Sequence, residues 1–177
     1  MPRGWQIQLL DKSLHRRDGF SCGKESLDAY LKKTARRAQE AGAGRTWVAV
    51  DRSEDPDESG RRPILGYYTV AMASIHLAEL PTESRRGLPS QVPAARLARL
   101  AVATSAQGEG LGRLLLIDAL GRIAQASQQV TAYAVVLDAL DDDAKSFYES
   151  YGFLDLTNHP LHLFLPMSTV QRLVGET

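Results

Sequence analysis

Glycines at positions 108, 110 and 112 fall between an apolar run, Leu97–Ala103, and a long helical segment from Gly110 to about Gln128. A second strand-like run, Tyr133–Leu137, follows. Strand, helix and strand in that order make a crossover unit, so the two strands are expected to be parallel with a right-handed connection. A unit of this kind places the chain in the α/β class, with one mixed central sheet flanked by helices.

The remaining segments extend that sheet. Ile7–Leu10 reads as an edge strand, Trp47–Val50 and Ile64–Ile75 as further strands, and Phe153–Leu156 with Leu161–Leu165 as a closing hairpin. A first helix is expected from Lys24 to Ala41, with Leu27, Tyr30, Leu31, Thr34, Ala35 and Ala38 at helical spacing and Gly42 and Gly44 as its stop. A second helix is expected from Asp141 to Tyr151, ended by Gly152. Asp51–Arg62 reads as a mobile hairpin loop and Leu80–Ala94, with three prolines, as irregular. A length of 177 residues fits a single domain, taken as 1–177.

Composition narrows the chemistry. The formal net charge is zero, so any binding to nucleic acid must come from a local basic face. Cys22 is the only cysteine, which excludes an intrachain disulfide and a cysteine-rich zinc site. His15, His76, His159 and His162 lack metal-ligand spacing, and no metal is expected. Met1–Trp5 lacks a signal pattern and no apolar run is long enough to span a bilayer, so a soluble cytoplasmic protein is expected.

Glycines between a strand and a helix let successive backbone N–H groups converge at a helix start, which suits a phosphate. A tight turn with no ligand is the plain alternative. A P-loop requires Lys-Ser or Lys-Thr after the last glycine, whereas Gly112 precedes Arg113-Leu114. The dinucleotide spacing G-x-G-x-x-G is absent as well. Gln107-x-x-Gly110-x-Gly112 instead resembles the acyl-CoA signature of the GNAT acetyltransferases, (R/Q)-x-x-G-x-(G/A). Arg99–Val102 resembles that family's fourth strand, and Ala144–Phe153 its A-x-x-(F/L)-Y-x-x-x-G-F ending. The resemblance implies a GNAT fold with acetyl-CoA as cofactor, carried by Leu100, Ala101, Val102, Gln107, Gly108, Glu109, Gly110, Leu111, Gly112 and Arg113. Backbone groups of Leu100 and Val102 would meet the acyl and pantetheine arm, and amides from Gln107 or Gly108 to Arg113 the pyrophosphate. Many relatives carry Asn where this chain has Asp141, which reads more simply as a helix N-cap.

Amide formation from a thioester needs a neutral amine, an oxyanion donor and a proton for the leaving thiolate. Tyr148 is the candidate donor, since a phenol with a pKa near ~10 holds its proton at neutral pH. Phe147 and Tyr151 fit the role of packed aromatics better. A backbone N–H near Leu100–Val102 would serve the oxyanion. No base stands out, Glu79 being equally readable as an exposed carboxylate. A weakly basic amine, such as the α-amine of an aminoacyl ester, would need none.

Lys32, Lys33, Arg36 and Arg37 fall on one side of the first helix, opposite Leu27 and Leu31. Arg45, Arg85, Arg86, Arg96 and Arg99 add cations on other segments, and Arg96 and Arg99, alternating with Leu97 and Leu100, are expected on a common strand face. A solvated face or pairing with carboxylates is the alternative reading. Phe20–Leu31 resembles the F-x-C-G-x-x-x-L-D-x-Y-L opening of the acetyltransferase toxins of bacterial toxin–antitoxin pairs (TacT- and AtaT-like). Gly66–Thr69 resembles their G-Y-Y-T strand, and Pro93–Val102 their P-x-x-R-L-x-R-L-A-V segment. This narrower resemblance implies acetylation of the α-amine of aminoacyl-tRNA and a block of translation. It also implies a homodimer and a ribbon-helix-helix antitoxin as partner. Lys33, Arg36, Arg37, Arg45, Arg85, Arg86, Arg96 and Arg99 would then hold the substrate. Acetylation of a small amine or a protein N-terminus, and CoA binding without catalysis, are the alternatives.

Overall fold

The computed structural model describes residues 4–175. The expectations that reach positions 1–3 and 176–177, namely the full 1–177 span and the N-terminal reading over Met1–Arg3, lie partly outside the described residues. Among the described residues, nine strands form a seven-stranded sheet, order β1-β3-β5-β6-β7-β9-β8, and a two-stranded one, β2-β4. The chain divides into two compact units, Met1–Ala71 with Arg99–Asp118, and Met72–Ala98 with Ala119–Thr177.

In the first unit, β1 (Trp5–Leu9) runs antiparallel to β3 (Arg45–Asp51), and β3 antiparallel to β5 (Gly66–His76). The first helix is three pieces in succession: α1 (Glu25–Ala29), a π-helical turn (Tyr30–Thr34) and α2 (Ala35–Glu40). Leu31 and Ala35 are buried, but Thr34, expected on the apolar side, is exposed. A π turn holds more residues than an α turn, so the register of the face slips there. Leu31 and Ala35 join Leu10, Phe20, Cys22, Val48, Ile64, Tyr67, Ala101 and Ala103 in one core cluster. The Gln39 side chain ties strand ends to α2, donating to the Leu10 carbonyl at 3.0 Å and accepting from the Thr46 amide at 2.9 Å. The loop expected between Asp51 and Arg62 contains the start of β4 (Arg62–Pro63), which pairs in parallel with β2 (His15–Arg16).

The second unit begins with part of β6 (Gln91–Val102), whose end belongs to the first; β6 and β7 (Ala134–Asp138) are parallel as the crossover requires, and α3 (Leu111–Ser127) connects them. β6 starts six residues earlier than the expected Leu97, so the irregular stretch ends at Ser90. Pro93 sits just before the ladder with β7, which begins at Ala94↔Ala134, so its missing N–H interrupts no bond there. β9 (His162–Pro166) pairs antiparallel with both β7 and β8 (Leu154–Asp155), giving the expected hairpin. α4 (Asp142–Glu149) and α5 (Met167–Gly175) complete the unit. Its core gathers Ile75, Leu80, Val92, Ala94, Ala134, Val136, Leu156 and Phe164. Among the described residues, no helix is long and apolar enough to cross a membrane.

Candidate functional site

The glycine loop leaves β6 and enters α3 within the first unit. Gly108 and Gly110 take φ of +78° and +91°, and an added Cβ at either would meet nothing within 4 Å. They are therefore glycines for the backbone conformation and not for room. The Gln107 side chain fixes the loop, donating at 2.9 Å to both the Cys22 and the Val102 carbonyl. Gln107 to Gly110 are exposed, Leu111 is buried, Gly112 is half-buried and Arg113 is exposed. The Leu114 amide donates to the Gly110 carbonyl at 3.2 Å. Amides of the turn before it belong to those a helix leaves without an internal acceptor, and they carry the positive end of the helix dipole.

Gly66 seats this helix. A Cβ there would lie 2.8 Å from Leu115 Cδ1 and 3.0 Å from the Ala101 carbonyl oxygen, so only glycine lets α3 lie this close to the strand. Tyr68, fully buried beside Gly66 in sequence, donates to Asp118 Oδ2 at 2.6 Å and holds the second turn further on. The helix start is thus positioned by residues of β5 about fifty residues upstream. Leu100 and Val102 are half-buried and Ala101 is buried at the end of β6.

In the second unit the β6–β7 ladder spans Ala94–Arg96 and Ala134–Val136, while β6 itself continues to Val102. Asp141 caps α4, accepting from the Ala144 amide at 2.8 Å, which is the plain role expected of it. Tyr148 is the buried aromatic of this helix, and Phe147 and Tyr151 are half-buried, which reverses the expected order of packing. Its ring meets Phe147 at 5.2 Å and Phe153 at 5.6 Å, both edge-on. Among the described residues nothing hydrogen-bonds the Tyr148 hydroxyl, and no enclosed side-chain oxygen lacks a partner, so this hydroxyl reaches a surface. Burial pushes the phenol above its ordinary value, so it keeps its proton throughout the neutral range. A gripped ring with an unengaged, protonated hydroxyl is what a proton donor to a ligand requires.

The basic residues have diverse local roles. Lys33 and Arg45 are exposed, and Arg37 donates to the Lys33 carbonyl at 3.0 Å. Arg36 pairs with Glu40 at 2.9 Å. Arg85 donates to the Leu80 and Ala78 carbonyls at 2.9 and 3.1 Å, organising its own loop, while Arg86 is exposed. Arg96 lies 3.3 Å from Asp138, which also faces His162 at 3.4 Å. Arg99 lies over the Tyr30 ring, 4.6 Å from its centroid. Arg96 and Arg99 thus meet different partners, a carboxylate and a ring, and a spacing of three does not by itself repeat a face in a strand of period two. Glu79 is half-buried, and its carbonyl accepts from the Thr157 amide at 2.8 Å. Tyr30, expected on the apolar side of the first helix, lies beneath Arg99 and stacks on Tyr67; no local spacing signalled either contact.

The first unit thus holds a glycine turn at the start of a glycine-seated helix, and the second a phenol gripped on α4. Residues 42–154 match the family described as Acetyltransferase (GNAT) domain, and the chain belongs to the GNAT acetyltransferases. Two relatives resemble it over most of their length. The tRNA-acetylating toxin of Mycobacterium tuberculosis (strain ATCC 25618 / H37Rv) is 38% identical over 157 residues, covering 89% of each chain. The probable toxin TacT of Sinorhizobium fredii (strain NBRC 101917 / NGR234) is 33% identical, covering 96% of this chain and 94% of that one. Among solved structures, AtaT complexed with acetyl-methionyl-tRNAfMet is 28% identical with a TM-score of 0.85, covering 96% of this chain and 98% of that one. AtaTR bound with AcCoA is 29% identical with a TM-score of 0.82, covering 98% and 99%.

Proposed function

We propose that this protein is a toxin that transfers the acetyl group of acetyl-CoA to the α-amine of aminoacyl-tRNA and so blocks translation. The observation that carries the reading is the likeness to a tRNA-acetylating toxin across 89% of both chains. The site chemistry agrees with it. The positive φ of Gly108 and Gly110 and the helix start beyond them fit a pyrophosphate, which amides between Gln107 and Arg113 would hold. Acetyl-CoA, when bound, supplies the activated acetyl carbonyl.

This chain's residues do the remaining work. Backbone groups of Leu100 to Val102 would hold the acyl arm, and an N–H there would serve the developing oxyanion. The Tyr148 hydroxyl holds the proton that the departing thiolate takes. The amine gives up one proton as the C–N bond forms and the C–S bond breaks, so protons balance. An aminoacyl α-amine is partly neutral at pH 7, so loss of that proton requires no dedicated side chain. Lys33, Arg36, Arg37, Arg45, Arg85, Arg86, Arg96 and Arg99 supply cations for the tRNA backbone. A cytoplasmic homodimer neutralised by a ribbon-helix-helix antitoxin completes the reading.

Mass spectrometry of charged and uncharged tRNA after incubation with acetyl-CoA tests it. The expected result is one acetyl group on the aminoacyl amine and none on uncharged tRNA. Acetylation of a free small amine with charged tRNA untouched would overturn the assignment.

A further inference from the structure

Tyr30 opens the π-helical turn Tyr30–Thr34 and is half-buried. In a regular helix Thr34, its i+4 neighbour, would lie over the same face. The wider turn leaves Thr34 exposed. Single π turns recur at functional positions, and this one has an identifiable support. Tyr67, fully buried, stacks on Tyr30 with centroids 6.4 Å apart and planes 14° apart. Phe20 meets Tyr67 edge-on at 5.6 Å, and the Tyr67 hydroxyl donates to the Leu27 carbonyl, in the turn just before, at 2.6 Å. Tyr30 is therefore fixed from beneath by Tyr67, a residue distant in sequence, and Arg99 lies over its ring at 4.6 Å.

Arg99 is exposed, yet the ring beneath it restricts its guanidinium to one region. Its backbone directly precedes Leu100–Val102, the stretch assigned to the acyl arm. A fixed cation one residue from that stretch suits an anion carried by the acceptor. We propose that Arg99 takes a phosphate at the aminoacylated end of the tRNA and that Tyr30, placed by the π turn, is the residue that positions it. The proposal rests on the reading of aminoacyl-tRNA as substrate, and it makes the terminal phosphate a requirement that a free amine would not meet.

The test uses the full chain, charged tRNA for kinetics and uncharged tRNA for binding across a salt series. Tyr30→Leu is expected to raise KM for charged tRNA about two- to fivefold, as loss of an exposed cation–π contact implies, with kcat and the acetyl-CoA KM held. Tyr30→Phe, which keeps the ring face, is expected to retain the wild-type KM. Arg99→Gln is expected to reduce the slope of log binding constant against log salt by about 0.7–0.9, the value for one phosphate contact. An unchanged slope, or a rise in the acetyl-CoA KM in place of the tRNA KM, would overturn the proposal. Failure of the wild type to acetylate charged tRNA refutes the substrate reading instead. In that case the salt slope of binding still decides whether Arg99 meets a phosphate.

Discussion

Gly110 and Gly121 invite the same substitution with opposite results. Gly110 has φ of +91° and precedes α3, while Gly121 lies inside α3; a Cβ at either position meets nothing within 4 Å. Steric crowding therefore plays no part, and the backbone alone decides. At Gly110 an L side chain in a left-handed conformation costs about 1–2 kcal/mol. The smaller entropy of the unfolded alanine chain offsets about 0.4–1 kcal/mol of that, leaving a net loss of about 1 kcal/mol. At Gly121, alanine is favoured by about 0.8–1.0 kcal/mol through helix propensity. The two variants should thus differ by about 2 kcal/mol, or about 4–8 °C in Tm for a chain of this size. Urea unfolding and calorimetry measure the difference directly. Gly110→Ala should also weaken acetyl-CoA binding, because relief of the strain turns the loop amides, and Gly121→Ala should not. A Gly110→Ala protein as stable as the wild type, or a destabilised Gly121→Ala, would refute the argument that conformation selects these glycines.

Tyr148→Phe should lower kcat by about 10²–10⁴, the usual contribution of a general acid, with Tm little changed because the hydroxyl has no hydrogen bond to lose. Equal turnover would remove Tyr148 from the mechanism. Burial pushes His15 below its ordinary value; its ring accepts from the Asp11 amide at 3.0 Å and contacts Gln8 Oε1 at 2.8 Å. Because the folded value is depressed, this stability is present above about pH 6.5 and is lost as pH falls through the folded value. A urea midpoint that falls equally in wild type and His15→Gln over that range would assign the loss elsewhere. Gln107→Ala removes two hydrogen bonds and should cost about 1–3 kcal/mol. Hydrogen exchange should localise the loosening to residues 103–114, and uniform exchange would contradict the clamp.

The strand–helix–strand core, the glycine loop and the α4 cap were legible because each rests on neighbours in sequence. Asp141 and Ala144 are three apart, and the loop glycines follow one another within five positions. What escaped depended on distant partners. A π turn was invisible because Leu27, Leu31 and Ala35 also satisfy a regular helix, and the Tyr67 that supports it bonds Leu27 from forty residues away. The early start of β6 was masked by Pro93, although Gln91 to Ala94 alternate exposed and buried. β2 and β4 pair over two residues each, too few for a period to register. At the site, Tyr148 and the loop were identified by motif. The partners of Arg85, Arg96 and Arg99 became visible only in the folded chain, since alternation cannot say which carbonyl, carboxylate or ring an arginine meets.

The two bonds made by Gln107 differ greatly in the length of chain they close. Val102 lies five residues away and Cys22 eighty-five. Closing the longer loop costs about 2.5 kcal/mol more in chain entropy, so the bond to Cys22 forms only after the intervening strands have assembled. During synthesis, therefore, the glycine loop can turn early but is locked late, once the segment around Cys22 has docked. A ribosome making this protein releases a nascent chain whose capacity for acetyl transfer is among the last properties it acquires.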